Sequence, residues 1–230
     1  MATPTLALKV ISISTSLIAA GGIATLTLFS IPSLRALPAS RSLPQIRWLF
    51  SRGSHIFPAA SLISSSGFLS LAFLALPVGQ RTLPHLLKTF GSRGGAWNGS
   101  VAGYVASAVL CISIAPWTAQ IMVPTNFELI RIGHEKGGKR SERSAKEEAN
   151  KDSGGTEAGG SDPALDSVDG QGQASQFTDL SDPQGKIEAS TTEEEDRKVQ
   201  QLLTKFGQLN MGRAVLMGAG GILGLVTSLA

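Results

Sequence analysis

VISISTSLIAAGGIATLTLFSIPSL, residues 10–34, separates Lys9 from Arg35 without one charged side chain. At about 1.5 Å per residue, a helix of this length crosses a ~30 Å hydrocarbon core. Ala36, Ala39 and Ser40 behind it also suit a cleaved leader, but signal-peptide cores run only ~7–15 residues, so a retained span is expected. Working outward, FPAASLISSSGFLSLAFLALPV at 57–78 and SVAGYVASAVLCISIAPWTAQIMV at 100–123 have the same character. MGRAVLMGAGGILGLVTSLA at 211–230 completes the set, provided that Arg213 sits at the interface or faces other helices. The expected spans are 10–32, 56–78, 101–123 and 209–230.

The charges fall in three blocks. All 17 acidic residues lie between Glu128 and Asp196, so the segments 1–127, 128–196 and 197–230 carry +8, −9 and +4 within a total of +3. An ordinary soluble globule mixes both signs along its whole length. Basic residues that punctuate uncharged stretches, with few aromatics beside them, flank membrane spans and do not follow a phosphate backbone; no nucleic-acid partner is expected. The single cysteine, Cys111, excludes an intrachain disulfide framework and a thiolate cluster. The fold class is therefore all-α integral membrane, a four-helix transmembrane bundle whose solvent is the lipid bilayer. Gly21, Gly22, Gly103, Ala106, Ser107, Gly220 and Gly224 supply small residues, either for close helix contact or as ordinary membrane-helix composition.

Loop charges set the orientation. The first loop, 35–56, carries four Lys or Arg and the third carries eleven, against three in the second. The first and third loops are thus expected in the cytoplasm, with both termini lumenal and the endoplasmic reticulum as the membrane. Asn98-Gly99-Ser100, the one glycosylation sequon, then falls on the permitted side, close to the third span. Residues 133–190 are rich in Gly, Ser and charge and nearly empty of large apolar side chains; a disordered loop between helices 3 and 4 is expected. At 191–208, Thr192-Glu193-Glu194-Glu195 has capping-box spacing, and Val199, Leu202, Leu203, Phe206 and Leu209 recur at helical intervals. An interfacial amphipathic helix leading into the fourth span is expected there.

No Asp or Glu lies within the expected spans, which removes a carboxylate-bridged metal pair and makes carboxylate proton relays a poor fit. The three histidines, His55, His85 and His134, all stand near interfaces or in loops, which does not suit bis-histidine haem; no metal site is expected. His55 and His134 would titrate near neutral pH at the same face, and an imidazole there can take a proton from a hydrophobic substrate, or have no duty. Arg47, Trp48 and Arg52 look like interfacial anchors, with Trp48 also a candidate substrate contact. Tyr104 is an anchor or a donor to a substrate oxygen, and Trp117 and Thr118 end the third span. Asn126, Asn210 and Arg213 form a polar set that either ties helices together or holds an enolate oxygen.

These residues carry a resemblance. Ala115-Pro116-Trp117-Thr118, followed by Met122-Val123-Pro124-Thr125-Asn126 and Leu129, resembles the third-helix signature of the fungal anthrone oxygenases and their bacterial relatives of unassigned function. Leu209-Asn210-x-x-Arg213 with Gly218 to Gly224 resembles the family's final block. Arg47-Trp48 with Gly53 and Pro58 looks like the start of its second helix, and Gly22 with Pro32 like its first. The likeness covers nearly all of 8–132 and 200–230. Two features depart from it: Leu209 stands where many relatives have tryptophan, and the third loop is longer.

The resemblance implies oxidation of a polyketide-derived anthrone to an anthraquinone by molecular oxygen, in fungal pigment or mycotoxin biosynthesis. The chain shows no flavin or nucleotide fingerprint, and an anthrolate reacts with oxygen itself, so O2 as co-substrate and no other cofactor is the expectation. A base, donors for the phenolate oxygen and a dry pocket are the requirements. His55 or His134 is the expected base, with Asn126, Asn210 and Arg213 stabilising the anion and Trp48, Tyr104, Trp117 and Thr118 contacting the substrate. The competing reading is a non-catalytic membrane scaffold or small transporter that recruits pathway enzymes through its acidic loop.

Overall fold

Proline lacks the amide donor of a helix and its ring crowds the carbonyl four residues back. Pro32 and Pro124 both sit inside long apolar helices, and each is preceded by a π turn, Leu26–Ser30 and Thr118–Met122, that absorbs the misfit. The computed structural model describes residues 2–82, 84–86, 99–152 and 179–230. Its long helices are α1 (Pro4–Arg35), α2 (Ala39–Ala75), α3 (Gly99–Glu135) and α5 (Glu193–Leu229), with a short α4 (Glu142–Asp152) between the last two. No strand occurs among the described residues. All four long helices are apolar and long enough to cross a membrane, and in each no more than half of the most apolar window is buried inside the protein. The remaining apolar faces suit lipid.

Contacts divide the chain into two units. Unit 1 comprises Met1–Thr25, Phe57–Ala119 and Asn210–Ala230. Its helices meet through small residues. A Cβ on Gly224 would collide with the Phe68 ring, one on Gly103 with Thr227, and one on Gly220 would lie 2.7 Å from Cys111 Sγ. Close approach is thus the role of Gly103, Gly220 and Gly224, whereas Gly21 has no neighbour within 4 Å. Hydroxyls join the helices where backbones come close: Ser16 donates to the Met217 carbonyl at 2.7 Å, and Ser61 to the Cys111 carbonyl at 2.8 Å.

Unit 2 comprises Leu26–Ile56 and Gln120–Leu209. Here the structure corrects the expected loop at 35–56, because α2 already begins at Ala39. Its amide is capped by Asp196 Oδ1 at 2.8 Å, and a charged helix costs nothing where it need not enter hydrocarbon. The disordered loop expected over 133–190 is likewise corrected at both flanks; residues 153–178 lie outside the described residues. α3 ends in a Schellman turn in which Gly137, at φ 78°, takes the left-handed conformation. The Gly138 amide reaches the Gly133 carbonyl at 2.7 Å, and that of Gly137 the His134 carbonyl at 2.9 Å.

After residue 178 the chain returns as a strap over 179–189. Glu142 N donates to the Asp182 carbonyl, Ile187 N to the Ser40 carbonyl, both at 2.9 Å, and Trp48 Nε1 to the Ser181 carbonyl at 2.9 Å. Few apolar residues are needed to order this segment, because backbone bonds and two buried anchors, Ile187 and Asp179, hold it. The capping box at Thr192 forms as read: Thr192 N donates to Glu195 Oε2 at 2.8 Å, and Glu195 N to Thr192 Oγ1 at 3.3 Å. The amphipathic face beyond it packs on protein. Val199, Leu203 and Phe206 are buried, with Phe206 edge-on to Phe50 at 5.0 Å, and the helix runs without a break into the last span.

Candidate functional site

Asn210 and Arg213 lie three residues apart on α5 and so share a face. Both are buried in unit 1, Asn210 at 0% exposure and Arg213 at 8%. Asn210 Nδ2 donates to the Ile23 carbonyl of α1 at 3.0 Å, and its Oδ1 accepts from Arg213 Nη1 at 3.3 Å. This amide therefore ties helices together and orients the guanidinium. The Arg213 guanidinium also stands over the Phe57 ring, 5.4 Å from the centroid, while its Nε has no hydrogen-bond partner.

Sequence sets the electrostatics of this position. Unit 1 contains no Asp or Glu, so Arg213 is a buried cation without an acidic side chain in its own unit. Taking a cation out of water costs several kcal/mol unless another group compensates, and an aromatic face with one amide oxygen compensates only in part. Gly212 adjoins it, and a Cβ there would lie 2.7 Å from Trp117 Cζ2. The missing side chain lets the indole close onto α5. Trp117 precedes the π turn at 118–122, and Thr118 donates back to the Ile114 carbonyl at 2.7 Å. Such turns often mark functional positions because they rotate side chains out of helical register.

Other candidate residues are placed elsewhere. Tyr104 is buried and bonds Ser228 Oγ at 3.0 Å, eighteen residues beyond Asn210, or about 27 Å along α5. It does not join Asn210 and Arg213, and serves instead to couple α3 to the far end of α5. In unit 2, His55 is part-buried on α2, and Asn126 and His134 are part-buried on α3. Eight residues put Asn126 and His134 about 12 Å apart along the helix, on different turns. His85 is exposed and pairs with Thr82. Asn98 lies outside the described residues. Among those residues no three His, Cys, Asp or Glu side chains converge on a point suited to a metal.

Unit 2 gathers its own cluster. Arg47 is buried and Nη1 donates to the Gly138 carbonyl at 2.9 Å, so it holds the α3 terminus and is not a lipid-facing anchor. Trp48 is fixed by the strap and lies under Arg52, 5.0 Å from the ring centroid. Asp179 accepts from Ser141 and from Ser181 Oγ at 2.6 Å. Burial by itself pushes this carboxyl up, but those hydrogen bonds and the Arg52 charge together outweigh it and hold the pKa below the ordinary value. Burial lowers the pKa of Arg140, with the Asp179 charge opposing.

Sequence reasoning missed Phe57, Gly212 and the Ile23 carbonyl. Gly212, between Asn210 and Arg213, carried a signal as a small residue facing a bulky partner; the other two depend on packing alone.

Among curated proteins and among solved structures nothing matches the chain. The match to the family described as anthrone oxygenase spans α2 from Arg47 through α3 and α4, and leaves out Gly22, Pro32 and the block around Asn210. Over residues 47–153 the chain carries the pattern of the anthrone oxygenase family, and the resemblance read from its residues is borne out there.

Proposed function

We propose that this protein is an anthrone oxygenase, which converts a polyketide-derived anthrone to the anthraquinone with O2 and without metal or flavin. The observation that carries the reading is Arg213, a buried cation in an acid-free unit, held by Asn210 and set over the Phe57 ring, with Trp117 packed on the adjacent Gly212. Such a place favours a planar aromatic that becomes an anion. Deprotonation of the anthrone methylene gives an anthrolate whose charge resides largely on oxygen, and a preorganised guanidinium stabilises that charge more in a dry site than in water.

The reaction balances without another redox partner. A base removes one methylene proton; the anthrolate carbon transfers an electron to O2 and recombines with it to give a hydroperoxide. Loss of the second proton from that carbon, with cleavage of the O–O bond, leaves the quinone carbonyl and water. His55 and His134 are the proposed proton acceptors, imidazole being the side chain most often used as a general base. We place loops 1 and 3 in the cytoplasm and the protein in the endoplasmic reticulum, from the loop charges.

Membranes containing the protein, supplied with emodin anthrone under oxygen, are expected to form quinone faster than membranes without it. The comparison is of rates, since anthrones also oxidise unaided. Rates equal to the background would overturn the proposal. Unchanged turnover after replacing both His55 and His134 with glutamine would reject the base assignment alone.

A further inference from the structure

A second site lies wholly within unit 2. The end of α1, the first half of α2 and the strap enclose an open groove of about 390 Å³, within the ~300–1,000 Å³ of small-molecule pockets. Phe29 and Trp48 supply flat aromatic surfaces; Leu49 and Pro183 are apolar, and among the described residues no charged side chain lines it. The Trp48 ring is immobilised by its N–H bond to the Ser181 carbonyl and by the Arg52 guanidinium, so a stacking surface exists before any ligand arrives. Two polar residues, Gln45 and Ser30, line this groove, and their side chains make no hydrogen bond within the described protein. Between them they offer donors and acceptors.

We infer that this groove is a docking subsite for a neutral, planar, hydroxylated aromatic ring system. Its chemistry complements that of the buried Arg213: a groove without charge takes the uncharged form, and a buried cation holds the anion formed from it. Aromatic walls favour a flat polycycle over a flexible acyl chain, and two unengaged polar groups match ring hydroxyls and a carbonyl, which a hydrocarbon chain lacks. Pro183 makes the strap a wall of the site, which gives the ordered return of the third loop a role in ligand selection. The identity of the ring system as an anthrone rests on the proposed reaction; the affinity for a flat phenolic aromatic does not.

The test separates the two. The full chain carrying Arg213→Gln, so that the buried cation does not contribute, is placed in phosphatidylcholine nanodiscs and titrated with a dihydroxyanthraquinone, a stable analogue that is not turned over. Saturable binding is expected. Ser33→Trp, at an exposed position on the groove wall, should abolish it. Gln45→Leu should weaken it about two- to tenfold, the usual effect of one hydrogen bond. In the native background, the same two substitutions should raise KM for the anthrone and leave kcat unchanged. If both variants bind the analogue as the parent does, the groove is covered by lipid and the proposal fails, whatever the turnover. If binding responds as expected and no anthrone is turned over, the docking site stands and the oxygenase reading falls.

Discussion

Asn210 makes two bonds of different purpose, and its replacement separates them. The bond to the Ile23 carbonyl joins α1 to α5, and the bond from Arg213 orients a cation. Asn210→Leu removes both and leaves a buried donor on Arg213 without its acceptor, which costs about 1–3 kcal/mol. The expected outcome is a lower melting temperature together with a kcat reduced by about tenfold, since an oriented guanidinium contributes through position. Gly212→Ala acts first on Trp117. Its Cβ would meet the indole at 2.7 Å, so the ring must move, and steady-state kinetics should show a changed KM with less effect on stability. At this scale the sequence was partly legible. The three-residue spacing of Asn210 and Arg213 announces a shared face, whereas the Phe57 ring beneath Arg213 comes from a helix far away in sequence and follows no local pattern.

The elements divide by what their pairing demands. Gly224 on α5 lies against Phe68 with no room for a side chain, so Gly224→Val should separate the helices and lower the yield of folded protein in membranes. Gly21→Val, which meets nothing, is the matched control. The strap gives a pH prediction. The carboxyl of Asp179 has its pKa lowered in the folded protein, so its stabilising contribution is complete above the unfolded value, about 3.9, and disappears as pH falls through the lower folded value. Protease sensitivity of the strap should therefore rise below about pH 4, and Asp179→Asn should be sensitive already at neutral pH. The helices were legible because long uncharged runs and a capping box are local signals. The strap was not, because it is ordered by backbone bonds to Ser40, Lys136 and Glu142, partners no composition reveals.

For the whole molecule, the distribution of acid is the organising fact. All acidic side chains lie between Glu128 and Asp196, and unit 1 has none, which leaves Arg213 buried without an acidic side chain there. The same asymmetry that identifies the membrane helices thus leaves the buried cation that we propose holds an anionic intermediate. The acidic segment itself is not expected to take part in chemistry. Replacing residues 153–178 with a Gly-Ser linker, while keeping the strap at 179–189, should leave anthrone turnover unchanged; loss of pathway flux with turnover intact would mark the segment as a recruiter of other enzymes. The most direct test of the account is the initial rate of quinone formation from an anthrone, above the spontaneous rate, by membranes bearing the native chain, Arg213→Lys or Arg213→Gln at equal protein. A charge-stabilised anthrolate predicts a loss of about 10²–10³-fold for Arg213→Gln and a smaller loss for Arg213→Lys, which keeps the charge but not the planar fork. Equal rates for all three would contradict it.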